Sequence, residues 1–347
     1  MEIETIRVAV AQAAPVYLDR EATLEKAVRL VGAASASGAR LIAFPEGFLP
    51  GHPLWHHFYP VMASASRDLA TRLLNNSVAV PSSQVDVLAR AARAHHIHIM
   101  MGMCERSSEH SGTMYNSQLL IGPQGQILNH HRKLTPTVGE RLVHAPGDAS
   151  GLRVVPTEIG RLSGLICGEN SNPLELFALI AENTQIHVMA WPAAASRARL
   201  ARADRALITG RSFAFMSKAY VLNANAVLDD GARDVLAANA EDRQFLDDPS
   251  ITGGSSVIGP NGRIIAGPLD HTEQLLFADL DLSQVAHEKH THDYAGHYNR
   301  SDIFSLSVDR TRREIYRPYA GSESTDLAMA YAESLGEIDV RPVPDTV

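Results

Sequence analysis

Apolar positions fall along this chain in two rhythms, and their alternation predicts the class of fold. Ile6–Ala11 is a short, β-branched run that predicts a buried strand. Between Glu21 and Ala36 the residues Leu24, Ala27, Val28, Val31 and Ala34 recur at helical spacing, with Gly38 placed to close the helix. Leu41–Phe44 predicts a second buried strand that runs into Pro45-Glu46-Gly47. The alternation continues with a helix over Ser83–His95, a strand over Ile97–Met103, and strands Tyr115–Ile121 and Gln126–Leu128 joined by Gly122-Pro-Gln-Gly125. Strand Leu162–Cys167, helix Pro173–Glu182, strand Ile186–Trp191, helix Arg202–Met216, strand Tyr220–Ala226 and a hairpin over Ser255–Ile265 follow.

The last hairpin repeats an earlier one. Ile121-Gly-Pro-Gln-Gly-Gln-Ile-Leu128 and Ile258-Gly-Pro-Asn-Gly-Arg-Ile-Ile265 share the same turn and the same flanking apolar residues. Two similar halves, each with strands and helices, imply two sheets facing one another in a layered α/β fold. No Gly/Ser-rich or Pro-rich linker separates them, so residues 1–305 read as one domain. Beyond Ser301 the character changes: Asp309–Arg317 is dense in charge and Gly321–Val347 has few large apolar residues. Residues 306–347 therefore read as a tail, mobile or docked on a neighbouring subunit.

Composition narrows the classes. Of 347 residues, 45% are hydrophobic and 20% charged, which excludes a mainly disordered chain. Two cysteines cannot make a disulfide scaffold. A formal charge of −8 argues against a nucleic-acid surface, which needs clustered Lys and Arg. No apolar run reaches the roughly 18 residues of a membrane span, and the acidic N-terminus is unlike a signal peptide, so a cytoplasmic protein without membrane contact is expected. Neither Gly-x-Gly-x-x-Gly after a strand nor a P-loop occurs, so no nucleotide is implied. The sixteen histidines cluster at His52, His56 and His57, at His95, His96 and His98, and again near His290. They lack the spacing of a zinc site, and no metal or other cofactor is expected.

Three apolar strands lead into a reactive side chain. Leu41-Ile-Ala-Phe-Pro-Glu46 delivers a carboxylate, His130-His-Arg-Lys133 a cation with Glu140 soon after, and Leu165-Ile-Cys167 a thiol. Ligand sites in α/β folds lie at the carboxyl ends of strands, so these groups can converge. Cys167 precedes an Asn172-Pro173 helix start, whose positive end would favour thiolate. Each residue also has a bland reading: a structural cysteine, a loop carboxylate, a solvated lysine. Together they match a base, a nucleophile and a cation for a developing anion.

These residues resemble the nitrilase branch of the carbon–nitrogen hydrolase superfamily over about residues 5–305. The resemblance rests on Val8-Ala-Val-Ala-Gln12, Phe44-Pro-Glu46-Gly, His131-Arg-Lys133-Leu-Thr-Pro-Thr-Val-Gly-Glu140 and Cys167-Gly-Glu169-Asn170. It rests further on Gly253-Gly-Ser-Ser and Gly296-His-Tyr-Asn-Arg-Ser-Asp302. It implies a four-layer αββα sandwich of two facing mixed sheets with pseudo-twofold halves. It further implies Glu46 as general base, Cys167 as nucleophile, Lys133 as stabiliser of the tetrahedral intermediate, and Glu140 as a second glutamate that places substrate or water. The activity implied is hydrolysis of an organic nitrile to acid and ammonia through a thioimidate and an acyl-enzyme. Homo-oligomers, dimers that extend into helical assemblies, are implied as well. The alternatives are an amidase, a carbamoylase or a cyanide-hydrating relative, and, in another class, a non-catalytic scaffold. Pro136-Thr137-x-x-Glu140 favours the nitrile branch.

Two positions depart from the family pattern. Gly168 stands where many nitrilases have Trp, and Ala214-Phe215-Met216 where relatives often have a Glu. A missing Trp beside the nucleophile leaves room for another aromatic, with Trp55, Trp191 and Phe48 as candidates; alternatively Gly168 serves a positive φ. The expected pocket comprises Trp55, Gly168, Glu169, Asn170, Trp191 and Pro192, suited to nitriles with a sizeable aliphatic or arylalkyl group.

Overall fold

The computed structural model describes residues 5–193 and 202–312. The elements in order are β1 (Thr5–Gln12), α1 (Arg20–Ala36), β2 (Leu41–Ala43), α2 (Ser64–Asn76), α3 (Ser83–His95), β3 (His98–Arg106), β4 (Met114–Ile121) and β5 (Ile127–Arg132). After these come β6 (Val155–Thr157), β7 (Gly160–Ile166), α4 (Pro173–Ala181), β8 (Ile186–Trp191), α5 (Arg202–Ser217) and β9 (Tyr220–Asn225). The last are α6 (Asp230–Leu236), α7 (Ala240–Leu246), β10 (Ser256–Ile258), β11 (Ile264–Ala266), β12 (Gln274–Asp281) and α8 (Ser283–Lys289).

Two six-stranded sheets form, in the orders β12-β1-β2-β3-β4-β5 and β11-β10-β9-β8-β7-β6. In each, two parallel pairings hold the middle: β1–β2–β3 in one and β7–β8–β9 in the other. All other pairings are antiparallel. The repeated hairpins β4–β5 and β10–β11 occupy equivalent edges. Each carries a register shift beside its Ile-Gly-Pro turn, and each puts its second glycine, Gly125 or Gly262, at positive φ. The two halves are thus built to one plan.

The strands are apolar on both faces because both faces are covered. Alternate residues of β1 divide between two clusters. Val8 and Val10 meet Leu162, Val188 and Leu222 of the second sheet. Ala9 and Ala11 face the helical layer of α1 and α3, with Leu24, Val31 and Leu88. On the far side α4 and α5 cover the second sheet through Leu176, Leu179 and Phe213 against Leu165, Met189 and Val221. The order of layers is helix, sheet, sheet, helix, as expected.

Several expected boundaries move. The strand read as Gln126–Leu128 runs on to Arg132, which carries His130 and His131 into the sheet and puts Lys133 directly after its end. Strand β12, which pairs with the whole of β1, and helices α2, α6 and α7 were not expected. Leu306 and Val308 pack against the cluster under α4 and α5, and Arg310 pairs with Glu182. The rest of the expected tail, from residue 313, lies outside the described residues.

Candidate active site

Glu46, Lys133 and Cys167 follow the carboxyl ends of β2, β5 and β7, and the sandwich brings the three together in the wall of one cavity of about 590 Å³. The Glu46 turn lies hard against β3: a Cβ on Gly102 would come within 2.0 Å of the Pro45 carbonyl oxygen, so only glycine fits there. The Glu46 backbone N–H donates to the Trp191 carbonyl at 3.3 Å, tying the turn to the second sheet.

Lys133 is buried between two carboxylates. Its Nζ lies 2.8 Å from Glu46 Oε1 and 2.6 Å from Glu140 Oε2. Asn116, on β4, donates its Nδ2 to the same two residues, at 2.6 Å to Glu46 Oε1 and 2.6 Å to Glu140 Oε1. Glu140 sits in a 3₁₀ turn over Val138–Leu142, where its Oε2 also accepts from the Thr137 N–H at 2.8 Å. His144 Nδ1 lies 3.2 Å from Glu140 Oε1, and His52 Nδ1 3.7 Å from Glu46 Oε1.

Burial opposes the Lys133 charge, but Glu46, the Cys167 sulfur and Glu140 outweigh it and raise its pKa, so the ammonium persists at all ordinary pH. Burial likewise opposes ionisation of Glu140, yet the His144 contact and the Lys133 ammonium hold its carboxyl well below the usual range. Glu46, His52 and Glu140 present ligand atoms within 4.8 Å of one another. The Lys133 ammonium already occupies the cation position between these carboxylates.

Cys167 has φ +50°, in the left-handed region that non-glycine residues seldom adopt. It opens a 3₁₀ turn over Cys167–Ser171, and α4 begins only afterwards, capped by Asn172 through the Leu174 N–H at 3.1 Å. The expected place at the α4 N-terminus is therefore displaced by one turn, and Lys133 is the cation that faces the thiol. Two buried residues hold the strained turn. Glu169 accepts from Ile166 N at 2.9 Å and Leu134 N at 2.7 Å, and pairs with His131 Nε2 at 3.0 Å. Burial disfavours His131 charge, but Glu169 outweighs it and raises its pKa. Asn170 donates to the carbonyls of Leu165 and Cys167, both at 3.2 Å, and its Oδ1 accepts from His187 Nε2 at 3.0 Å.

Of the expected pocket, Gly168, Trp191 and Pro192 line the cavity. Glu169 and Asn170 do not, because their polar atoms are spent on the backbone beneath Cys167. Trp55 does not either. It is fully buried in a separate cluster with Tyr17, Leu69 and Leu73, while its neighbours Leu54 and His57 face the cavity. Phe48 packs on Phe44 in the helical layer instead, with ring centroids 5.1 Å apart. Gly168 is not at positive φ; a Cβ there would meet only Thr137 Oγ1, at 3.2 Å. The positive φ belongs to Cys167. Asn116 and His144 are not among the residues that the sequence pattern singles out. Their signal is slight: one amide inside an apolar strand, and one histidine four residues after Glu140.

The αββα layering thus brings a thiol, a buried lysine and two carboxylates together beyond the strand ends, which defines a layered α/β protein with a thiol site. A carbon–nitrogen hydrolase from Helicobacter pylori superposes with a TM-score of 0.67 at 17% identity, covering 88% of this chain and 98% of that one. Residues 7–289 match the carbon–nitrogen hydrolase family, and the chain belongs to it. It is 37% identical over 318 residues to Nitrilase 2 from an unknown prokaryotic organism, covering 90% of this chain and 95% of that protein. It is 35% identical over 329 residues to a nitrilase of Bacillus sp. (strain OxB-1), covering 94% of each.

Proposed function

We propose that this enzyme is a nitrilase that converts an organic nitrile to its carboxylic acid and ammonia. The observation that carries the reading is the buried chain Glu46–Lys133–Glu140 beside Cys167 in a cavity walled by Leu54, Val138, Trp191 and Ile208. Similarity to proteins named as nitrilases over nearly their whole length supports it.

Glu46 takes the thiol proton as the Cys167 sulfur adds to the nitrile carbon and returns it to the nitrogen, which gives a thioimidate and restores the carboxylate. Glu46 then takes a proton from water as its oxygen adds to that carbon. The tetrahedral species expels ammonia, leaving a thioester. A second water, activated in the same way, releases the acid and restores the thiol. Lys133 faces the charge that develops at each addition, and Glu140 fixes Lys133 and the water.

Self-association through the tail after about residue 305 belongs to this reading, and exposed Tyr298, Ile303 and Phe304 support it. A cytoplasmic setting fits two buried, reduced thiols, Cys104 and Cys167. Among the described residues no helix is long and apolar enough to cross a membrane.

Product analysis on a panel of aliphatic and arylalkyl nitriles tests the function. Equal amounts of acid and ammonia are expected. Amide as the main product, or turnover of amides alone, would replace the nitrilase reading with a hydratase or amidase one.

A further inference from the structure

Arg205 stands on α5 with Ile208 and Thr209, and all three line the cavity that holds Cys167. Arg205 is part-buried, yet among the described residues its guanidinium has no carboxylate within ion-pair distance and no hydrogen-bond acceptor. The Thr209 hydroxyl does not fill that role, since it donates to the carbonyls of Arg205 at 2.8 Å and Ala206 at 3.2 Å. Other part-buried arginines among the described residues have work of this kind: Arg132 forks onto Glu105, Arg161 donates to the carbonyls of Glu182 and Asn183, and Arg310 pairs with Glu182.

A guanidinium is always charged and presents a planar fork of donors matched to a carboxylate. Held partly out of water with no partner among the described residues, it gains most from an anion that arrives with the substrate. The rest of the cavity says where that anion must be on the molecule. Glu46 and Glu140 stand at the nucleophile, so a carboxylate adjacent to the nitrile is repelled. Trp191, Pro192 and Ile208 offer apolar wall for a spacer.

We infer that Arg205 is a carboxylate-binding subsite and that the preferred substrates are ω-cyanocarboxylic acids, with the nitrile at Cys167, an apolar spacer along the wall and the acid in the guanidinium fork. The inference rests on the nitrilase reading of the same cavity. The product is then a dicarboxylic acid.

The test compares 5-cyanopentanoate with hexanenitrile, which has a methyl group in place of the carboxylate, in the wild type, Arg205→Gln and Arg205→Lys. The wild type is expected to favour the anion. The ratio of kcat/KM on the anion to that on the neutral nitrile is expected to fall about tenfold or more in Arg205→Gln and to recover in part in Arg205→Lys. Added salt should lower the ratio in the wild type and Arg205→Lys but not in Arg205→Gln. Calorimetry of adipate on Cys167→Ala, with and without Arg205→Gln, reads the subsite without turnover, and tighter binding is expected where Arg205 is present. An equal ratio in wild type and Arg205→Gln overturns the inference. So does a loss confined to phenylacetonitrile, which would make the guanidinium a stacking surface for an aryl ring. If neither nitrile reacts but adipate binding still depends on Arg205, the subsite stands and the nitrilase reading falls.

Discussion

At the scale of single residues, the site is a contest between burial and charge. Lys133 tolerates burial because two carboxylates lie within 2.8 Å of its ammonium, and those carboxylates tolerate each other because Lys133 lies between them. Lys133→Ala leaves Glu46 and Glu140 buried without their cation. A loss of roughly 3–5 kcal/mol in stability, read by denaturant unfolding, should accompany the loss of turnover. Glu46→Gln keeps the shape and removes the base, so kcat should fall about 10²–10⁴-fold while the fold survives. The double variant should lose no more than the worse single one, because the groups act as a unit. Gly168 is a matter of space. With ordinary backbone and only Thr137 Oγ1 near its missing Cβ, Gly168→Ala should stay active, and Gly168→Trp should shift kcat/KM toward small nitriles. Inactivity of Gly168→Ala would contradict this. Glu46 and Cys167 were legible because each closely follows an apolar strand, and Lys133 because Glu140 follows it at short spacing; its own strand ends in the polar His130-His-Arg132. Trp55 misled because closeness to Glu46 in sequence says nothing about which way the Leu54–His57 turn faces its rings.

Among the elements, strands and helices with a single clear period were legible, and those without one were not. Strand β12 is a near-continuous apolar run, Leu275-Leu-Phe-Ala278, whose partner β1 lies at the other end of the chain. Helix α2 follows Ala63, which has no side chain to cap it, so no residue marks its start. The same distance in sequence hid Asn116, which reaches Glu46 and Glu140 only once the sheet is assembled, whereas His144 meets Glu140 from only four residues away. The element most specific to function is the turn under Cys167. Asn170 joins its carbonyls to His187, and His187 Nδ1 lies 2.8 Å from Ser163 Oγ on β7. Asn170→Ala orphans buried groups, each at a cost of about 1–3 kcal/mol, and releases the strained φ of Cys167. Its kcat should drop more than its KM rises, which steady-state kinetics on one nitrile would read. A change in KM alone would assign Asn170 to substrate binding instead.

For the whole molecule, buried ionisable groups set the response to acid. Burial, with the His131 charge adding to it, pushes the His187 pKa down to about 3. The unfolded chain takes up that proton first, so this stability is present above pH 6.5 and is lost as pH falls toward 3. Glu175 works in the opposite sense. Burial and the neighbouring Glu169 raise it to about 7, so its protonation favours the fold as pH falls from 7 to 4.5. Glu105 resists burial through hydrogen bonds from His130 and Arg132 and is held at about 2. Its contribution, about 3 kcal/mol, is present above pH 4.5 and lost between 4.5 and 2. Thermal stability should therefore fall most steeply below pH 4.5, where His187 and Glu105 act in the same sense and Glu175 no longer opposes them. Glu105→Gln should flatten the steep limb in a calorimetric pH series, and an unaltered limb would contradict the assignment.

The layering itself was legible at this scale because one hairpin occurs twice, at Ile121 and at Ile258, and both copies close equivalent sheet edges. What that symmetry delivers is one thiol, on one side, against one buried lysine. Intact-mass spectrometry during turnover of a slow nitrile tests this most directly. The wild type is expected to carry an added acyl or imidoyl mass that peptide mapping puts on Cys167, and Cys167→Ala is expected to fold, carry no adduct and release no ammonia. An adduct on another residue, or ammonia release by Cys167→Ala at the wild-type rate, would contradict it.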